Sequence, residues 1–139
     1  MNNPDTTPKS GLLKVSSPHS VKTTTERLET IIQDKGMKLF ASIDHSIGAQ
    51  AIGKSLRPTN LLIFGNPQAG TPLMQNQQSM GIDLPQKILI SEDADGNVSV
   101  LYNDPNYLAE RHGIEGCEEL NLKISAALGT IVQSATSEH

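Results

Sequence analysis

"TNLLIFGNPQAGTPLMQ" (residues 59–75) runs an apolar stretch straight into a glycine-bounded loop. "TNLLIFG" is apolar on both faces, which predicts a strand covered on both sides inside a sheet. "GNPQAG" then satisfies the first half of a phosphate loop, G-x-x-x-x-G. That motif next needs Lys to reach the outer phosphates and Ser or Thr to hold magnesium. Here those places hold Thr71 and Pro72. The cation is missing and the metal-binding hydroxyl is a proline, so nucleotide hydrolysis by this loop is not expected. A structural reading fits better: Thr71 caps a short helix over Pro72–Met80, with Pro72 at its first position, and Gly65 and Gly70 let the chain turn. The free N–H groups of such a helix start would suit a small anion or carboxylate.

The elements on either side follow from periodicity. "GLLKVSS" is a first strand ended by Pro18. "SVKTTTERLETIIQDKG" is a helix with Ser20 as N-cap, and Val21, Thr25, Leu28, Ile31 and Ile32 form its buried stripe. Gly36 follows in the position that wants a left-handed residue. "MKLFASIDHS" alternates, so Met37, Leu39, Ala41, Ile43 and His45 share one strand face, and Lys38, Phe40, Ser42 and Asp44 the other. "IGAQAIGKSLRP" is a connection with a helical turn.

"PQKILIS" is the next strand. "DADGNVSVLYND" is a hairpin turning at Asp95-Gly96. Asp104-Pro105 opens a short helix that breaks near Gly113 or Gly116. A last helix starts near Cys117, with Leu120, Ile124, Ala127, Leu128 and Ile131 as its stripe and Glu118 and Glu119 at its positive end. Helices need a sheet face to cover, so the expected fold class is α+β, a two-layer sandwich on a mostly antiparallel sheet.

Composition narrows the function classes. The 139 residues predict one domain, over 11–135, preceded by a disordered polar tail over 1–10. Two Phe, two Tyr and no Trp leave an aliphatic core. The net charge is −4, and from Asp83 to Glu119 nine acids face two bases, Lys87 and Arg111. That stretch repels a phosphate backbone, so nucleic acid is not an expected partner. Cys117 is the single cysteine, which rules out an intrachain disulfide and fits a reducing compartment. No apolar run approaches the roughly 20 residues that span a bilayer, and no secretory signal is read at the N-terminus. The expected protein is cytoplasmic, without membrane, metal or cofactor.

Two further motifs were weighed for chemistry. "EDADGN" fails as a calcium loop, because Tyr102 falls where a bidentate Glu is required. "IDHS" places Asp44 and His45 at a strand end. A partly buried His45 there is the candidate general acid or base, with Asp44 or Asp104 nearby, set against a structural histidine as the simpler role. His112, in the last turn of its helix, favours the negative helix end. No metal-ligand spacing and no nucleophile elbow occur.

The motifs "LRPT-x-L-x-IFGNP-x-AGTPLMQ", "GIDLP" and "YNDP-x-YLA-x-RHG" closely resemble a bacterial family known as domain of unknown function 302, over roughly residues 11–135. The resemblance implies a TATA-box-binding-protein-like fold, β-α-β(4)-α, with a curved sheet and two main helices on one face. The shared fold implies nothing about DNA binding. It also marks Asp44, His45, Asn66, Thr71, Asp83, Asn103, Asp104 and His112 as motif polar residues. Some family members carry signal peptides; this sequence departs from them.

Three functions follow. The first is a binding domain for a small molecule or anion, with Asn66, Gly70, Thr71, His45, Asp104 and His112 as site residues. The second is a homodimeric interaction module. The third is an enzyme using His45.

Overall fold

The computed structural model describes residues 10–139. The expected tail therefore lies outside the described residues, apart from Ser10. Five strands form one sheet: β1 (Leu12–Ser17), β2 (Lys38–Asp44), β3 (Thr59–Gly65), β4 (Gln86–Glu92) and β5 (Val98–Asn103). Their order is β1-β5-β4-β3-β2, and every neighbouring pair is antiparallel. β1 and β2 thus run parallel at opposite edges. The helix between them, α1 (Val21–Asp34), crosses the sheet face and packs on α5 (Glu118–Ala135).

Strand alternation fixes what each face meets. Leu62, Phe64, Ile88, Ile90 and Val100 point under the helices and are buried. They meet Leu28 and Ile32 of α1 and Leu128, Ile131 and Val132 of α5 in the main core. Ser20 caps α1 as its sequence predicts, its hydroxyl accepting from the Thr23 N–H at 3.0 Å. Gly36 takes the left-handed φ of 78°. Arg27 and His19 tie down the far end of α5. Arg27 donates to the Ala135 and Ser134 carbonyls, and His19 Nε2 bonds the Ser137 carbonyl.

A second, smaller core sits beside the first. Leu73 of α3 (Pro67–Asn76), Met80 of a 3₁₀ turn (Gln78–Ile82) and Leu108 of α4 (Pro105–His112) form it with Leu84, Leu120 and Ile124. The aliphatic stripe read on α5 is therefore shared. Its C-terminal half fills the main core, and Leu120 and Ile124 reach the second.

Three local expectations are corrected. The helix after the glycine loop is α3, capped by Asn66 and not by Thr71, with Pro67 at its first position and Pro72 inside it. Asn-Pro and Thr-Pro carry the same helix-start signature, and the earlier pair starts the helix. His45 does not extend β2. It is the exposed first residue of α2 (His45–Ala51), because the Asp44 carboxylate accepts from the Ser46 and Ile47 N–H groups and turns the chain into a helix. The hairpin loop is longer than Asp95-Gly96 alone. Asp93 organises it by accepting from the N–H groups of Asp95 and Asn97, both at 2.9 Å.

Candidate functional site

The sheet end where β2 begins, β3 stops and β4 begins carries a cavity of about 610 Å³. It lies between the two cores. Phe64, Leu73 and Leu128 form its buried floor. Met37 and Phe40 wall one side, Met74, Leu84 and Pro85 another, and Leu120, Ile124 and Ala127 of α5 the third. Asn66, Gln68, Thr71, Gln86 and Lys123 are the polar residues of the lining. The lining holds no carboxylate.

β2 brings Phe40 to this site through an irregularity. Leu39 pairs with Phe64 and Ala41 with Ile63, so Phe40 is an extra residue in the strand. The Lys38 Nζ lies 5.1 Å from the centre of its ring. Gly70 of α3 faces Leu84, and a Cβ built there would meet Leu84 Cδ1 at an ordinary contact distance of 3.4 Å.

Of the expected site residues, Asn66, Gly70 and Thr71 line the cavity. The anion site expected at the helix start is absent, and the hydrogen bonds explain why. Pro67 has no N–H, Gln68 N donates to Asn66 Oδ1, and Ala69 N and Gly70 N donate to the Asn66 carbonyl. No first-turn donor is left for an anion. The polar groups left along the lining are those of side chains such as Gln86 and Lys123.

His45, Asp104 and His112 do not line the cavity. His45 sits at the other end of β2 from Lys38, so Asp44 and His45 are separated from the cavity by the length of the strand. Asp44 is an N-cap whose carboxyl is held below its ordinary 3.8, chiefly by the Ser46 hydroxyl. Asp104 is buried and caps α4, accepting from the Asn106 N–H at 3.0 Å. Its helix ends at Gly113, with φ of 68°.

Sequence reasoning missed a side-chain cluster outside the cavity. His112 Nε2 lies 2.5 Å from Asp83 Oδ2, and its Nδ1 lies 2.8 Å from Ser79 Oγ. Arg111 Nη1 also reaches Asp83, at 2.9 Å. Serine, histidine and carboxylate stand in the order of a hydrolase relay, but with the two ring nitrogens exchanged from the usual arrangement. Ser79 is exposed, and none of the three residues lines the cavity. Asp83 is shared between Arg111 and His112, and the cluster ties the 3₁₀ turn to the end of α4. It is a structural latch. The signal available in the sequence was the pairing of an acidic motif, "GIDLP", with a basic one, "RHG".

Comparison with known proteins shows the family and the fold. A search of curated sequences finds a protein of Brucella suis biovar 1 named fluoride-specific ion channel FluC 1, 42% identical over 130 residues, covering 93% of this chain and 51% of that protein. A protein of Brucella melitensis biotype 1 named fluoride-specific ion channel FluC 2 matches at 42% identity, with 48% of its length covered. The chain thus spans about half the length of these relatives. Among the described residues no helix is long and apolar enough to cross a membrane. The crystal structure of an uncharacterized conserved DUF302 protein from Bacillus stearothermophilus superposes with a TM-score of 0.80 at 19% identity, covering 90% of this chain and 98% of that one, which establishes the shared fold. The model of the family described as domain of unknown function DUF302 matches residues 13–131, and the chain belongs to that family.

Proposed function

We propose that this protein is a small-molecule binding domain and that its site is the aliphatic cavity between α3, α5 and the end of the sheet. The observation that carries the reading is the cavity itself. About 610 Å³, floored by buried apolar side chains and rimmed by a few polar ones, falls in the range of small-ligand sites. A domain of this length has enough aliphatic residues to close such a space, so keeping it open favours a ligand over pure stability. Native mass spectrometry of gently purified protein tests it. Bound mass that disappears in Ala127→Phe, with the far-ultraviolet spectrum unchanged, supports the reading. Loss of the same mass from His45→Ala but not from Ala127→Phe would move the site to the other end of β2.

The ion conduction in the names of the Brucella relatives is not carried over, because the match accounts for only half of those proteins. The lone free thiol of Cys117 supports placing the domain in a reducing compartment such as the cytoplasm.

A homodimeric module is the second reading, favoured by one feature of the sheet. Ile43, Leu61, Leu89 and Leu101 pair across four strands in a single row, on the face opposite the main core. Each is partly exposed. A second copy meeting this row would cover it. Light scattering of the wild type and of Leu89→Lys distinguishes the cases: a dimer that dissociates in the variant supports the module, and a monomer at all concentrations removes it.

A further inference from the structure

The cavity is apolar, and the one charged residue of its lining is a lysine. Lys123 of α5 is part of the lining and is exposed. Lys38 stands over the ring of Phe40, itself a wall residue. Lys87 donates from Nζ to the carbonyl of Pro85, another wall residue, at 3.2 Å. The topology explains the gathering. Lys38 opens β2 opposite Gly65, the last residue of β3, and Lys87 is the second residue of β4, opposite Ile63 and on the sheet face of Leu89. Among the described residues the ion pairs are those of Asp83 with Arg111 and His112, so none of the three lysines is neutralised by a carboxylate. In a chain whose net charge is −4, a lining with one lysine and no carboxylate is a local reversal of sign.

We propose that the ligand of this cavity is an amphipathic anion: an alkyl or aryl body in the cavity and one acidic headgroup at the mouth, held by Lys38 and Lys123. The inference rests on the cavity being a ligand site and adds the ligand's chemical class. The headgroup does not need a helix N-terminus, since the first-turn donors of α3 are already used. The apolar body accounts for the methionines, Met37 and Met74, whose unbranched thioethers adapt to chains of different shape. Both lysines are exposed, so the headgroup contributes modestly. Each exposed ammonium–carboxylate contact adds a small increment and weakens with salt.

Calorimetric titration of the full chain with dodecanoate, dodecanol and dodecyltrimethylammonium, each below its aggregation concentration, tests this. Dodecanoate is expected to bind about fivefold to tenfold more tightly than dodecanol. Dodecyltrimethylammonium is expected to bind more weakly than either. Lys38→Gln with Lys123→Gln should erase the difference between dodecanoate and dodecanol. If dodecanoate and dodecanol bind alike in the wild type, the headgroup inference is overturned and the cavity reading stands. If none of the three binds, and Ala127→Phe changes no titration, the cavity reading fails with it. Ala127→Phe abolishing the binding of dodecanoate places the ligand in this cavity; binding that survives it overturns the assignment.

Discussion

His112 Nε2 and Asp83 Oδ2 meet at 2.5 Å across 29 residues of chain, and the contact joins two motifs that are far apart in the sequence. The His112 side chain is 7% exposed and that of Asp83 15%, so the bond is largely shielded from water. The Arg111 side chain on the same carboxylate is 52% exposed and adds little. His112→Ala leaves a shielded carboxylate short of a partner. It is expected to cost about 1–3 kcal/mol, read as a lower urea midpoint with an unchanged slope. Ser79→Ala removes only an exposed hydroxyl and should cost well under half as much. Equal losses from the two would show that the latch assignment is wrong.

Gly70 separates stability from binding. It lies in the interior of α3 without a left-handed φ, and a Cβ there meets Leu84 and Met74 at ordinary contact distances of 3.4 and 3.9 Å. Gly70→Ala should stabilise the protein by about 0.5–1 kcal/mol through the smaller entropy of its unfolded chain. The same methyl group enters the cavity lining and should weaken ligand binding. A higher melting temperature together with a weaker titration signal is the expected pair of results. A variant that binds more tightly would contradict the cavity assignment.

Asn66 and Thr71 can be told apart by truncating each side chain to alanine. Asn66 Oδ1 satisfies the Gln68 N–H at 3.0 Å, so Asn66→Ala is expected to cost about 0.5–2 kcal/mol. Thr71 is exposed within the helix and makes no side-chain hydrogen bond among the described residues. Thr71→Ala should therefore leave the thermal midpoint nearly unchanged. A large loss from Thr71→Ala would restore the later helix start that the sequence offered.

Stability should fall at both ends of the pH scale. The Asp93 carboxyl is held below its ordinary 3.8, first by the Asn97 backbone N–H, and the Asp44 carboxyl likewise, first by the Ser46 hydroxyl. A lowered carboxyl contributes stability that is complete above 3.8 and is lost as the pH drops through the folded-state value. Tyr102 is raised above 10.0, by burial first and by the charge of Asp104 second. Its contribution is complete below 10.0 and is lost as the pH climbs through the raised value. Melting temperatures from pH 2 to 12, to a first order about flat near neutrality, check this. Asp93→Ala should flatten the acid limb and Tyr102→Phe the alkaline limb.

Periodicity and turn chemistry determined most of the fold. The α1 stripe, the β3 run and the Asp104-Pro105 start all depend on residues within a few positions of one another, so they can be read locally. Local signals failed where two segments carried equal ones. Asn66-Pro67 and Thr71-Pro72 are both helix starts, and alternation in β2 runs on to His45 until the Asp44 cap ends it. The site was less legible. Asn66, Gly70 and Thr71 line the cavity because it borders the glycine-bounded loop, while Phe40, Leu84, Ile124 and Lys123 come from three other segments. The aliphatic stripe of α5 looked like core along its whole length. Only packing decided that Leu120, Ile124 and Ala127 would face a space that the second core does not fill. The Asp83–His112 contact and the meeting of Lys38 with Gly65 depend on which segments become neighbours. Sheet order is set by the burial of whole faces and not by any local pattern, so the sequence determined the elements and the tertiary structure decided the site.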